Sequence, residues 1–170
     1  MLQLKFMDDG TLTEDSLHSL QEAADSLVQG KSTMEQVLGL SAEQFEALYA
    51  VGYTSYMAGK YEDAAKMFTV LIAIRPYDVR IFMGIAAALQ MLRKYRAAAF
   101  YYQWACGLDQ QDPVLMLHSA ECFLGMNDQA SAISALRIAV ERAGNEARYE
   151  AVRNRAKVML HNLEKAQEAV

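Results

Sequence analysis

The chain has 170 residues and a mass of 19.0 kDa, with 53% hydrophobic and 22% charged residues, so it is long enough for one domain with a real core and too apolar for a disordered protein. A net charge of −5 without a basic patch argues against nucleic-acid binding, and no apolar run approaches the roughly 18 residues of a membrane span. Two prolines, nine glycines and abundant alanine, leucine and glutamate favour helix over sheet.

The first 44 residues are acidic, with eight Asp and Glu against two Lys, a net charge of −6. The opening "MLQLKFMDDG" lacks a charged region followed by a long apolar run, so we expect no secretory signal. The pattern predicts a helix over 13–29, which "VQGKST" breaks before a short helix ending at Leu38. We hypothesise that two chains dimerise through the longer helix; the alternative is that this segment folds back onto the concave face of its own chain when no partner is bound. The predicted dimer contacts are Leu17, Leu20, Leu27 and Val28.

A repeat of 34 residues organises the rest of the chain. The segments "GKYEDAAKMF" at 59–68, "RKYRAAAFYY" at 93–102 and "NDQASAISAL" at 127–136 fall into register at that spacing. Small residues recur at Ala64, Ala98 and Ala132, where two helices can approach closely. A period of 34 with small and bulky residues at fixed points is the tetratricopeptide signature, in which each unit is a pair of antiparallel helices.

The helix boundaries follow from capping and proline signals. Ser41 and Gln44 form a capping box that opens the first repeat, Pro76 closes it, and Asp112 with Pro113 begins the third. The predicted helix pairs are 42–58 with 61–75, 79–92 with 95–109, and 113–125 with 129–143, followed by a last helix over 146–168. We therefore expect an all-α tetratricopeptide solenoid with an N-terminal helical and dimerisation segment over 1–40, three repeats over 41–143 and a C-terminal capping helix over 144–170.

A stripe of tyrosines lies on the first helix of the first repeat. In a tetratricopeptide array, the first helix of each pair lines the concave side, and Tyr49, Tyr53 and Tyr56 occupy positions that face it. The alternative is that one of these rings packs under the N-terminal helices. Tyrosine and methionine offer large, adaptable contact surfaces, so the sequence predicts a groove for an extended apolar peptide. The predicted groove residues are Tyr49, Tyr53, Tyr56, Met57, Arg80, Met83, Ala87, Gln90, Met91, Leu117, Glu121 and Leu124.

The stretch "GKSTMEQVLGLSAEQFEALYAVGYTSYMAGKYEDAAKMFTVLIAIRPYDVRIFMGIAAALQML" resembles the class II chaperones of bacterial type III secretion systems. The shared features are the Gly30 and Ser32 step before a short helix, "Y-x-x-G-K-Y-E-D-A", "LIAI" followed by "YD", and "AEC" at 120–122. The resemblance covers about residues 28 to 163. It includes the helical segment that precedes the three repeats in this family.

The resemblance implies a cytoplasmic, non-enzymatic chaperone that forms homodimers and keeps hydrophobic translocator proteins soluble. The family's groove holds a short extended segment of the form Pro-x-Leu-x-x-Pro, and its groove tyrosines correspond to Tyr49, Tyr53 and Tyr56. Prolines suit an extended ligand with a low ordering cost. Some members also act with a transcription activator, and nothing in these residues decides that partner for this chain.

Catalytic and metal-binding patterns are absent from the sequence. His18, His118 and His161 are far apart, and Cys106 and Cys122 lack zinc spacing, so we expect free thiols, no metal and no cofactor. The nucleophile-elbow, P-loop and dinucleotide motifs do not occur. The main alternative to a translocator chaperone is a general tetratricopeptide adaptor, and an enzyme is a distant third. Trp104 lies off the groove, where it either packs ordinarily or marks a dimer contact.

Overall fold

The computed structural model describes residues 4–5, 7–8 and 10–168. Its regular structure in these residues is helical, which confirms the predicted all-α fold. The α-helices are α1 Glu14–Val28, α2 Met34–Leu38, α3 Ala42–Met57, α4 Tyr61–Ile74, α5 Val79–Met91, α6 Tyr95–Leu108, α7 Pro113–Gly125, α8 Gln129–Ala143 and α9 Glu150–Glu168.

The predicted helix pairs are confirmed to within a residue at each end. The capping box is present, because the Ser41 hydroxyl accepts from the Gln44 N–H and the Gln44 side chain accepts from the Ser41 N–H. Asp112 caps α7 with Pro113 in its first turn. The last helix begins later than predicted, at Glu150, because a 3₁₀ turn over Ala147–Tyr149 precedes it.

Each helix from α3 to α9 packs against the next along the chain, as expected for a solenoid. Three buried clusters lie between successive helices, centred on α3–α5, α5–α7 and α7–α9. The three repeat alanines, Ala64, Ala98 and Ala132, are fully buried. Large residues one helical turn further along fill the core beside them, as predicted from the repeat; they are Phe68, Tyr102 and Leu136.

The turn inside each repeat takes the same backbone form. Gly59, Arg93 and Asn127 are 34 residues apart, and all three have left-handed backbone, with φ of 75°, 57° and 60°. Glycine adopts this conformation without strain and asparagine tolerates it, whereas arginine rarely does. The turn of the second repeat is therefore the strained one.

The N-terminal helices stand apart from the three core clusters. Arg75, at the end of α4, binds Glu35 of α2 through Nε at 2.9 Å and Nη2 at 2.5 Å, and its guanidinium lies 3.8 Å from the centre of the Phe45 ring. On α1, Leu17 and Val28 are exposed. Among the described residues, no helix combines the length and apolar character that a membrane crossing requires.

Candidate peptide-binding groove

A pocket of about 270 Å³ opens where the first helices of the first two repeats lie side by side. Helices α3 and α5 supply most of its wall, while α4, α6 and α7 contribute one residue each. Aromatic rings dominate the surface. The lining residues are Tyr49, Tyr53, Tyr56, Phe68, Arg80, Met83, Gly84, Ala87, Tyr102 and His118.

All three predicted tyrosines line this pocket, but they differ in how far neighbouring rings hold them in place. Tyr49 packs on Phe68 with ring centroids 5.4 Å apart, and Tyr56 meets Tyr61 edge-on at 5.4 Å. Tyr53 is 54% exposed. Burial raises the pKa of Tyr49 and of Tyr56, so both hydroxyls remain protonated at neutral pH and can donate as well as accept hydrogen bonds.

Phe68 forms the floor of the pocket. Its ring lies between two glycines: a Cβ placed on Gly52 would be 2.9 Å from the ring, and one placed on Gly84 would be 2.7 Å away. Real Cβ atoms do not come this close to carbon. The two glycines therefore let a second-helix ring reach the groove between the two first helices.

Arg80 at the pocket edge is held by acidic side chains of the protein itself. Its guanidinium binds Asp78 at 2.6 Å and Glu46 at 2.9 Å, and it lies 4.9 Å from the centre of the Tyr49 ring. The hydrogen bond from Arg80 holds the pKa of Glu46 below its usual value, so this carboxylate stays charged. Because its charge is already matched, Arg80 does not make the groove a site for acidic tails.

The other end of the pocket carries a polar chain of hydrogen bonds. The Tyr102 hydroxyl donates to Gln90 Oε1 at 2.9 Å, and Gln90 Nε2 donates to Glu121 Oε2 at 2.8 Å. The same oxygen lies 3.0 Å from His118 Nδ1, and Tyr102 stacks on the imidazole ring. Burial would raise the pKa of Glu121, but hydrogen bonds from His118 and Gln90, with the charge of Arg155, lower it overall.

Arg155 connects this polar end to the C-terminal helix. Its Nη2 lies 2.5 Å from Glu121 Oε1. A side chain of α9 therefore takes part in positioning a carboxylate beside the groove, so the capping helix has a role in its geometry.

Eleven of the twelve predicted groove residues fall into three groups. Tyr49, Tyr53, Tyr56, Arg80, Met83 and Ala87 line the pocket, and Gln90 and Glu121 form the polar chain beside it. Met57 and Met91 are exposed outside the pocket lining, and Leu124 is half-buried.

The prediction for Leu117 is wrong. This side chain is only 3% exposed and packs in the cluster that α7 forms with α8 and α9, because its position on α7 points toward the capping side of the solenoid.

Four lining residues were not predicted from the sequence: Phe68, Gly84, Tyr102 and His118. Phe68 and Tyr102 occupy the same position of successive second helices, which the repeat assigned to the core. For Phe68, the signal that could have found it is the pairing of a large ring with glycines at 52 and 84. Tyr102 has no such glycine partner in the part of the chain that the structure describes.

The predicted dimer contacts are unequally accessible. Val28 is 87% exposed and Leu17 is also exposed, whereas Leu20 and Leu27 are half-buried. Leu27 faces a second, wider pocket between α1, α2 and the α4–α5 turn, whose wall includes Met34 and Tyr77. Within the part of the chain that is described, no three His, Cys, Asp or Glu side chains are grouped as metal ligands.

Comparison with known proteins finds a matching repeat family and a relative that matches most of the chain. A tetratricopeptide repeat family model matches residues 45–78, one 34-residue unit. The chain is 32% identical over 140 residues to Low calcium response locus protein H of Yersinia pestis, covering 82% of this chain and 83% of that protein.

Solved structures give the same result. PcrH, known from Pseudomonas aeruginosa, in complex with the chaperone binding region of PopD is 36% identical, with a TM-score of 0.73 over 76% of this chain and 97% of that one. The Yersinia enterocolitica type III secretion chaperone SycD, in complex with a peptide of the translocator YopD, is 32% identical, with a TM-score of 0.73 over 75% of this chain and 98% of that one.

Proposed function

Because the chain belongs to the class II chaperones of type III secretion systems, a tetratricopeptide family, we propose that it holds an extended segment of a translocator protein in the tyrosine-lined pocket between α3 and α5. It is a translocator chaperone, a binding protein and not an enzyme. Its relatives PcrH and SycD have been solved with segments of PopD, PopB and YopD. For this chain, we propose which side chains contact the translocator segment.

The observation that carries this assignment is the convergence of Tyr49, Tyr53 and Tyr56 on one pocket with a phenylalanine floor. Apolar side chains of the ligand can pack on these aromatic rings, and the tyrosine hydroxyls can form hydrogen bonds with the ligand's backbone. Proline in the ligand keeps it extended before binding, which lowers the ordering cost. A segment of the form Pro-x-Leu-x-x-Pro fits these requirements, with the leucine over Phe68.

The polar chain supports recognition at one end of the segment. Gln90 and Glu121 are fixed by Tyr102, His118 and Arg155. Groups held in this way bind ligand amides without losing side-chain freedom on binding.

The remaining proposals concern cellular setting and assembly. Sequestering a membrane-seeking translocator requires that the chaperone act before export, which places it in the bacterial cytoplasm. We assign dimerisation to 1–40, cargo binding to 41–143 and capping to 144–170, and the chain forms homodimers, as its relative SycD has been solved in an alternative dimer.

The test is fluorescence anisotropy of a labelled Pro-x-Leu-x-x-Pro peptide. The variants are the wild type, Tyr53→Ala, and the triple variant Tyr49→Ala/Tyr53→Ala/Tyr56→Ala, with circular dichroism to verify folding. Tyr77→Ala is the matched control, because this tyrosine is 84% exposed and lies outside the pocket.

We expect Tyr53→Ala to weaken binding about tenfold, as loss of an aromatic anchor does, without loss of fold. The triple variant should abolish binding, and Tyr77→Ala should bind as the wild type does. Equal binding by wild type and folded triple variant would remove the tyrosines from the cargo site and favour a general adaptor that reads another ligand.

A further inference from the structure

Helix α6 carries an exposed stripe that the groove does not use. Arg96, Phe100, Trp104 and Leu108 recur every four residues, so they lie along one face of the helix, and all four are exposed. None of them lines the cargo pocket. The stripe is about 18 Å long at 1.5 Å per residue, the length of a short helix–helix contact.

The aromatic part of this surface is already ordered. Trp104 stacks on Phe82 with centroids 6.3 Å apart and meets Phe100 edge-on at 6.2 Å, while Phe100 meets Tyr101 at 5.5 Å. Exposed rings that hold one another in place lose little freedom when a partner covers them. Contiguous exposed aromatic surface of this kind is typical of a protein contact.

The basic end of the stripe is unusual by comparison with the other two repeats. The turn and first helical residues of the second repeat carry Arg93, Lys94 and Arg96. The equivalent residues are Gly59, Lys60 and Glu62 in the first repeat, and Asn127, Asp128 and Ala130 in the third. Only the second repeat places three cations there.

Local stability does not explain these cations. Arg93 takes the left-handed backbone that its equivalents take as glycine and asparagine, and cations are disfavoured at a helix N-terminus. Among the described residues, Arg93, Lys94 and Arg96 have no ion pair. They border a shallow pocket together with Phe100 and Met126. Strain and unpaired charge at one site indicate a contact made with something outside the chain.

Helix α1 has the complementary properties. Its sequence contains four acids, Glu14, Asp15, Glu22 and Asp25, and no Lys or Arg. It also exposes apolar residues, and it belongs to none of the three core clusters. Among the described residues, the acids of α1 have no ion pair with another helix, and Glu22 lies 3.3 Å from His18 of the same helix. The acidic helix and the basic aromatic helix are thus two exposed surfaces of opposite charge in one molecule.

We propose that α1 of one copy docks antiparallel on the stripe of α6 of a second copy, which makes a symmetric dimer in which each chain gives one helix and receives one. This inference deepens the homodimer of the proposed function and rests on it. In the antiparallel arrangement, Asp25 faces Lys94 and Arg96, with Glu22 at the edge of the contact. Leu17, on the same side of α1 as Asp25, covers the rings of Phe100 and Trp104. The exposed α1 face from Leu17 to Val28 is about 17 Å long, which matches the stripe.

The contact is isologous, as in most homodimers, and leaves the cargo pocket open. Its charged part weakens with salt, because exposed charges are screened within about 8 Å at physiological ionic strength. Its apolar part remains and sets the residual affinity.

The experiment is a charge swap measured by sedimentation equilibrium of the full chain. One variant is Lys94→Glu/Arg96→Glu, a second is Glu22→Lys/Asp25→Lys, and a third combines all four changes. The control is Lys157→Glu/Lys165→Glu, which makes the same change of net charge as the first variant, at exposed residues of α9. Acids favour a helix N-terminus, so the first variant should fold at least as well as the wild type.

We expect each double variant to weaken self-association about tenfold or more and the combined variant to restore most of it, while the control changes nothing. Mixing the two double variants should give a heterodimer about as tight as the wild-type dimer, since both of its contacts join opposite charges. A wild-type chain that stays monomeric, an unchanged dimer in the first variant, or failure of the combined variant to rescue would each overturn the proposal. Peptide anisotropy on the same variants separates the two proposals, because the charge swap should leave cargo affinity unchanged.

Discussion

The ring of Phe68 occupies the space next to Gly84 where any other residue would carry its Cβ. The nearest ring atom would lie 2.7 Å from that Cβ, inside van der Waals contact. Phe68 is only 1% exposed, and Gly52 and Tyr49 confine it on other sides, so the ring has no free direction in which to move. This contact sets both the packing of α4 on α5 and the floor of the cargo pocket.

We therefore expect Gly84→Ala to lower the free energy of unfolding by about 1–3 kcal/mol, the usual cost of overpacking a core. The measurement is urea denaturation followed by circular dichroism. Gly107→Ala is the control, because it lies in α6 with no atom within 4 Å of an added Cβ, and it should stabilise by about 0.5–1 kcal/mol. Equal effects of the two substitutions would mean that Phe68 can move away.

The helices were predictable because their signals are local and repeated. The capping box at Ser41, the Asp112 cap with Pro113 and the recurrence of alanine at 64, 98 and 132 each fix a boundary or a close approach. A second capping box, at Thr33 and Gln36, opens α2 by the same chemistry.

The pocket was predictable only in part, since its composition depends on how neighbouring repeats pack. The rule that first helices line the groove found Tyr49 and Met83. It missed Phe68, whose access depends on the absence of a Cβ at Gly84, and it misplaced Leu117, because the capping helix covers that face of α7. Those contacts join distant parts of the chain and leave no local pattern.

Arg93 offers a test of backbone strain. Its φ is 57°, a conformation that costs a residue with a Cβ about 1–2 kcal/mol and glycine almost nothing. We expect Arg93→Gly to raise the free energy of unfolding by about 0.5–1 kcal/mol after the greater entropy of an unfolded glycine is deducted. Urea denaturation of the monomer at low concentration measures this change.

The control for that substitution is Arg96→Gly, three residues further into α6, where the backbone is helical and glycine should cost about 0.5–1 kcal/mol. Destabilisation by Arg93→Gly equal to that of the control would show that the left-handed turn carries no strain.

The depressed pKa of Glu121 predicts that the protein loses stability at acid pH. Burial would raise its pKa, but His118, Gln90 and Arg155 lower it below the usual 4.5. A carboxyl whose folded pKa is depressed contributes stability that is present above its unfolded pKa and lost as pH falls through the folded pKa. Glu121→Gln should thus destabilise by roughly 1–3 kcal/mol at pH 7, through loss of charged hydrogen-bond partners, and the difference should shrink below about pH 4.

Glu164→Gln is the matched control, because Glu164 of α9 also pairs with an arginine, Arg137 of α8, but in a more exposed setting. It should cost less than about 1 kcal/mol at either pH. Denaturation curves at pH 7 and pH 3.5 for both variants make the comparison. A Glu121→Gln difference that stays constant over this range would assign the effect to side-chain packing and not to charge.

Cys122 reports on opening of the solenoid. Burial raises its pKa to about 12, helped by the nearby charge of Glu121, so at pH 8 only about one thiol in 10⁴ is ionised, and the side chain is fully buried. In the Cys106→Ala variant, an aromatic disulfide reagent should therefore modify Cys122 only through unfolding. Adding Gly84→Ala should accelerate that reaction about tenfold for each 1.4 kcal/mol of lost stability, provided that the repeats unfold together.

Stopped-flow absorbance measures both rates, and the variant with Cys122→Ala shows the behaviour of Cys106 alone. An unchanged rate on adding Gly84→Ala would mean that α7 opens independently of the first two repeats, as a solenoid of weakly coupled units allows.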